Sequence, residues 1–284
     1  MKQSCTALPS EAKSVSSKVI FITPEYAREL LEANSANQRN INRDALEKNS
    51  RALRDGKWVL NGESIILSTT SRLLDGQHRI HACANTGTGF WTILVTGVPD
   101  EYFATIDQGR TRSLTDVMTI NDDARHAHLP TTLVMLGNYL NKTLSNPRPM
   151  SNSECMDLKA MSPHLLDSVR WCHDNLKGII AASRIAWLHY VAHEFAPGRC
   201  VTFFERLSDG VNLSADDPIY QLRARLIADR STTKRMPRKE CVAIVIKAWN
   251  AFYEGKRVKL LRFAAGEPFP RLNDSAPTSK KSAA

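Results

Sequence analysis

Residues Arg72–Gly87 read RLLDGQHRIHACANTG, and the five from Asp75 to Arg79 are an Asp, a Gly, a Gln, a His and an Arg in a row. The apolar pair before them reads as the end of a strand, and the run from Arg79 as a helix closing at Gly87. A glycine at such a junction lets the backbone approach a ligand with no Cβ between them. The start of the helix supplies unpaired N–H groups and a partial positive charge, which suits an anion. Arg79 adds a planar fork of donors matched to phosphate oxygens. Gln77 and His78 are further donors, and His78 can change charge near neutral pH. Asp75 can hold a divalent metal, orient the arginine or act as a base. The turn therefore reads as a phosphate cradle. The plainer alternative is a strand-to-helix turn in which Asp75 only caps the helix and Arg79 points into water.

Working outward, residues 19–120 alternate short strand-like and helical patterns. KVIFIT is apolar and β-branched, and the following helix takes Thr23 as N-cap, Pro24 at its first position and Asn34 as its stop. A second helix begins after Asn42, turns Leu46 and Leu53 to one face and stops at Gly56. ESIILS, RLLD and FWTILVTG read as strands, with a short helix from Pro99. This alternation predicts a small α/β domain over 19–120. From residue 121 onward six segments carry helical spacing: 128–144, 162–176, 178–195, 200–207, 217–229 and 236–255. The expected architecture is α+β, a small α/β domain followed by an all-helical domain over 121–272. Residues 1–18 and 273–284 read as a disordered lead-in and tail.

The 284 residues are 42% hydrophobic and 24% charged, ordinary for a chain with a packed core. No run of about 18 apolar residues exists, which argues against a membrane span. Six scattered cysteines with no CxxC pair argue against a zinc site or a disulfide framework, and fit core thiols in a reducing, cytoplasmic setting. The net charge of +9 is uneven: residues 121–284 hold 24 Lys+Arg against 16 Asp+Glu. Such an excess fits a polyanionic partner, nucleic acid first, and equally a basic solvated face with no partner. The loop TKRMPRKE, with Lys234, Arg235, Arg238 and Lys239, is the strongest candidate for contact with a phosphate backbone.

Other constellations are weaker. IDQGRTRSLTD offers Arg110 and Arg112 as cations, Asp107 as a metal ligand and Ser113 as a cap for a following helix. Its alternative is a structural ion-pair network. His189 and His193 share a helix face but lack a third ligand and do not form HExxH. His126 and His128 read as solvated residues at a helix start. Trp249, Phe252 and Tyr253, interleaved with Lys247, Lys256, Arg257 and Lys259, fit either base stacking or a core.

GQHRIHA resembles the GERRxRA box of the ParB N-terminal domain, and LLDGQHRIHA resembles the DGQHR or DGHHR signature of ParB/sulfiredoxin-fold proteins. The similarity covers about residues 19–118 and includes an N-x-R box at Asn37–Arg39, G-x-W at Gly56–Trp58 and D-x-G-x-x-R at Asp107–Arg112. It is a layout common in phage, plasmid and bacterial proteins with a helical C-terminal part. What the resemblance implies is phosphate chemistry on a nucleotide, as in CTP hydrolysis by ParB and phosphoryl transfer by a free-serine kinase and by sulfiredoxin. Carried over, Gly76, Gln77, His78 and Arg79 would form the phosphate-binding turn, and Arg39 a second nucleotide contact. Gln77 stands where sulfiredoxin has its nucleophilic cysteine, so that activity is not implied. Arg39-Asn40 stands where the kinase has a catalytic Glu, which leaves Glu63 as the nearest substitute. No ParB helix-turn-helix is recognisable in 121–284.

The expected function is therefore binding of a nucleoside triphosphate, ATP or CTP with Mg²⁺, for hydrolysis or phosphoryl transfer, while the basic helical domain contacts DNA. Asp75, His78 and Glu63 are the catalytic candidates, and Asp75 and Asp107 the metal ligands. Two alternatives stay open: a DNA-binding or nucleotide-sensing module without catalysis, and a metal-dependent ParB-like nuclease. A homo-oligomeric assembly stays open as well.

Overall fold

The computed structural model describes residues 14–35, 41–106, 113–120 and 126–273. The chain divides into two compact units, Met1–Thr111 and Arg112–Ala284. Together they form a mixed α/β protein with eleven α-helices and a four-stranded sheet among the described residues. No helix among them is long and apolar enough to cross a membrane.

The first unit holds β1 (Ser16–Ile22), α1 (Pro24–Ala33), α2 (Arg43–Arg54), β2 (Ser64–Ser68), β3 (Leu73–Asp75), α3 (Gln77–Thr86) and β4 (Phe90–Val98), then a 3-10 turn over Asp100–Thr105. The strand order is β1-β4-β2-β3, with β4 antiparallel to β1 and parallel to β2, and β2 antiparallel to β3. Successive strand residues face opposite sides. Ile22, Phe90, Thr92 and Leu94 are accordingly buried under the helices, whereas Val19, Phe21 and Trp91 stand exposed. Phe21 lies directly across from Trp91, with the rings edge-on at 5.4 Å. Among the described strands β1 is an outer one. On the inner side α3 packs against both α1 and α2 over a core that includes Ala27, Leu53, Ile65 and Ile80.

The helix starts follow their sequence signals. Thr23 accepts from the Tyr26 N–H, and the Asn42 side chain accepts from the N–H groups of Asp44 and Ala45. Asn34, 3% exposed at the end of α1, accepts from the Leu73 N–H at 2.7 Å and donates to the Leu30 carbonyl, fixing β3 against that helix.

The second unit is helical: α4 (Leu114–Ile120), α5 (Leu129–Leu140), α6 (Asn152–Ala160), α7 (Leu165–Asn175), α8 (Ala182–Phe195), α9 (Pro197–Asp209), α10 (Pro218–Arg230) and α11 (Arg238–Tyr253). Its core runs through Trp187, Phe203, Phe204 and Trp249, all fully buried. The helix expected after Ser113 is α4, whereas α6 was not among the helical segments expected from the sequence. Few residues of α6 reach the core, Cys155 and Leu158 among them, so its apolar period is faint. Its capping box, Ser151 with Glu154, was the readable signal. Cys83, Cys155, Cys172, Cys200 and Cys241 are all buried and in no disulfide, as core thiols should be.

Candidate functional site

At the Asp75–Arg79 turn the backbone passes from β3 into α3 through Gly76, whose φ of 97° lies in the left-handed region. A Cβ there would also collide with Ile65 Cδ1, so both conformation and space favour glycine. The Gly76 N–H donates to Asp75 Oδ1 at 2.6 Å. Asp75 Oδ2 accepts from Arg79 Nη2 at 3.1 Å, and the same Nη2 donates to the Ser64 carbonyl at 2.9 Å. Arg79 Nη1 is buried and lies 3.5 Å from Glu63 Oε2, too long for a hydrogen bond but close enough for attraction. Arg79 is 8% exposed, so the plain reading of it as a solvated cation does not hold. Its guanidinium clamps the start of α3 to β2 and neutralises Asp75. Glu63 remains 68% exposed at its side chain.

His78 lies half-buried in the first turn of α3, and its Nε2 accepts the Asn42 N–H at 3.0 Å. The neutral ring therefore carries its proton on Nδ1. This bond joins the beginning of α3 to the beginning of α2, so two positive helix ends meet at one imidazole. Gln77 is buried at 6% exposure. Burial, and then the neighbouring His78, lower the pKa of His81 below the usual histidine value. Arg39, Asp107, Arg110 and Arg112 lie outside the described residues.

In the second unit Lys234, Arg235, Arg238 and Lys239 are all exposed around the start of α11. Two cavities open there. One of about 320 Å³ is lined by Arg225, Lys234, Arg235 and Pro237, and one of about 230 Å³ by Ala181, Arg184, Arg230 and Cys241; Asp229 and Arg235 border both. Arg225 is paired with Glu240 at 3.0 Å, whereas Arg184, Arg230, Lys234, Arg235, Arg238 and Lys239 form no ion pair among the described residues. The Asp229 carboxylate accepts the Met236 N–H, and the Arg235 guanidinium donates to the Asp229 carbonyl. Loss of hydration, and then the nearby Arg184, lower the pKa of Arg238. The reading of the sequence missed Arg184 and Arg230. For Arg184 the signal was a cation in a first turn that has no acid, against the sign of the helix dipole.

Protein-family models, curated proteins and solved structures yield no match to this chain.

The remaining constellations resolve into packing. Trp249 is fully buried and Tyr253 is 5% exposed, both part of the helical core and not a stacking platform for bases. His189 bonds Ser168 Oγ at 3.0 Å, packs on Trp171 and Phe204, and is pushed down to about 4 by burial, with His193 adding to the shift. His126 and His128 are not solvated residues: with His173 they form a cluster of rings 5.0 to 5.6 Å apart. Burial first, then mutual repulsion, lowers the pKa of His126 and His128. Among the described residues no three His, Cys, Asp or Glu side chains are arranged to hold a metal ion.

Proposed function

We propose that this protein binds a nucleoside triphosphate at the Asp75–Arg79 turn of a ParB/sulfiredoxin-like unit and contacts DNA through the basic end of its helical unit. The observation that carries the nucleotide reading is the His78–Asn42 hydrogen bond. It sets the start of α3 beside the start of α2, and the N-x-R box ends only three residues before Asn42 in the chain. Two helix N-termini set side by side favour a polyphosphate. The left-handed Gly76 supports the same reading, because it lets the chain turn directly from strand into helix.

Within this reading the roles differ among the residues. The half-buried His78 faces the phosphates, the buried Gln77 belongs to the frame of the turn, and Arg79 positions Asp75 and Glu63. Asp75 fits poorly as a ligand for Mg²⁺, since both its oxygens already accept protein donors. Glu63 fits better, with one oxygen turned to Arg79 and most of its carboxylate in solvent. A metal on a triphosphate needs only one or two carboxylates besides phosphates and water. The engagement of Asp75 also favours binding without turnover, a nucleotide-sensing module, over hydrolysis. A nuclease would need Asp75, Glu63 and Asp107 around one metal, and the first two both face Arg79.

The test is calorimetry of the full chain with CTP and with ATP, each with Mg²⁺. Binding of at least one is expected, weakened by about tenfold or more in His78→Ala, or about 1.4 kcal/mol. No heat with either nucleotide would overturn the reading. Phosphate release on longer incubation would decide for turnover against sensing.

A further inference from the structure

Helix α8 begins with a cation and no acid where a helix favours anions, and α11 begins with two cations beside Glu240, which is already paired with Arg225. Arg184 lies in the first turn of α8, which has no acid, and Arg238 and Lys239 open α11. Neither N-cap, Ala181 or Pro237, offers a side-chain acceptor to the helix. Two guanidiniums, Arg184 and Arg235, moreover line one cavity, and neither has an ion-pair partner among the described residues. Charges held against a dipole and against one another mark a place where local preference yields to function. An anion would relieve both conflicts, and the two cavities bordered by Arg235 provide its space.

We propose that this groove seats two consecutive phosphates of a nucleic-acid backbone, one between Arg184 and Arg235 and the next between Arg235 and Lys234. The inference rests on the reading that the helical unit contacts nucleic acid, and adds to it the residues and the ligand. Arg235 borders both cavities and so can bridge adjacent phosphates with its planar donor fork. Asp229 borders both as well, and its negative charge sets the preference. A singly charged phosphodiester is repelled less by that carboxylate than a doubly charged terminal phosphate.

The test is fluorescence anisotropy of the full chain with a labelled DNA duplex between 50 and 200 mM salt, roughly the range in which phosphate contacts dominate affinity. Arg184→Gln and Arg235→Gln should each weaken binding and make the slope of log affinity against log salt shallower by about 0.9. Lys256→Gln, whose charge is already paired with Glu254, should leave the slope unchanged. Thermal melting checks that each variant is folded; Arg235 is exposed, so its variant serves if Arg184→Gln does not fold. Wild-type affinity and slope in both arginine variants would overturn the groove while leaving nucleic-acid binding intact. A wild-type protein that ignores the duplex would overturn both readings. If that protein binds tripolyphosphate, and Arg184→Gln abolishes it, the groove belongs to a soluble polyphosphate instead.

Discussion

Arg79 and Asp75 meet at 3.1 Å across the first turn of α3, with their side chains only 10% and 23% exposed. The carboxylate that neutralises the guanidinium also accepts the Gly76 N–H. The turn thus carries an anion of its own on the strand side.

Removing the guanidinium should be expensive for the fold. Arg79→Ala leaves Asp75 without its cation and the Ser64 carbonyl without its donor. Breaking a buried pair from one side costs about 3 kcal/mol. Asp75→Asn, which keeps an acceptor, should cost about 1–2 kcal/mol. Urea unfolding of both variants measures this, and an Arg79→Ala protein as stable as wild type would refute the clamp.

Gly76 and Ile65 should be coupled. Gly76→Ala puts a Cβ against Ile65 Cδ1 and holds alanine at a φ of 97°, at a combined cost of about 2–4 kcal/mol. Ile65→Val removes Cδ1, so the double variant should recover part of that loss, about 1 kcal/mol, and the backbone strain should persist. Strict additivity in the double-mutant cycle would show that the contact is unimportant.

Acid should loosen the helical unit through His189. Its folded pKa, about 4, lies below the ordinary histidine value of 6.5, so the unfolded chain takes up a proton first as pH falls. Stability from keeping the ring neutral is complete above 6.5 and lost as pH falls from there to about 4. The full difference is about 3 kcal/mol. Unfolding midpoints between pH 7 and 4 should show the decline, and His189→Gln should flatten it. A wild-type profile in that variant would assign the decline elsewhere.

Local chemistry made most of the first unit legible, and distance in the chain hid the rest. Thr23, Asn42 and Gly87 end helices in ways a few neighbouring residues dictate. The Asp75–Arg79 pairing is equally local, its partners four residues apart across the strand-to-helix turn. Whether Arg79 turned inward depended on Ser64 and Glu63, on and just before another strand, and no spacing within the turn encodes that. The basic loop at 234–239 stood out as a run of charge, but Arg184 joins it only because α8 and α11 begin near each other, 54 residues apart between Arg184 and Arg238. In the same way His126 and His128 looked solvated until α7 brought His173 to them.

The outermost strand has one further consequence, for how copies of the chain behave toward each other. Ser16–Ile22 holds a single charge, Lys18, in a seven-residue stretch otherwise rich in β-forming residues. Lysine on a bare margin is how sheets discourage a stranger's strand from adding to them. An apolar residue at position 18 would leave this strand without a charge, a template for fibril-like stacking. That one ammonium group guards the molecule against its own kind.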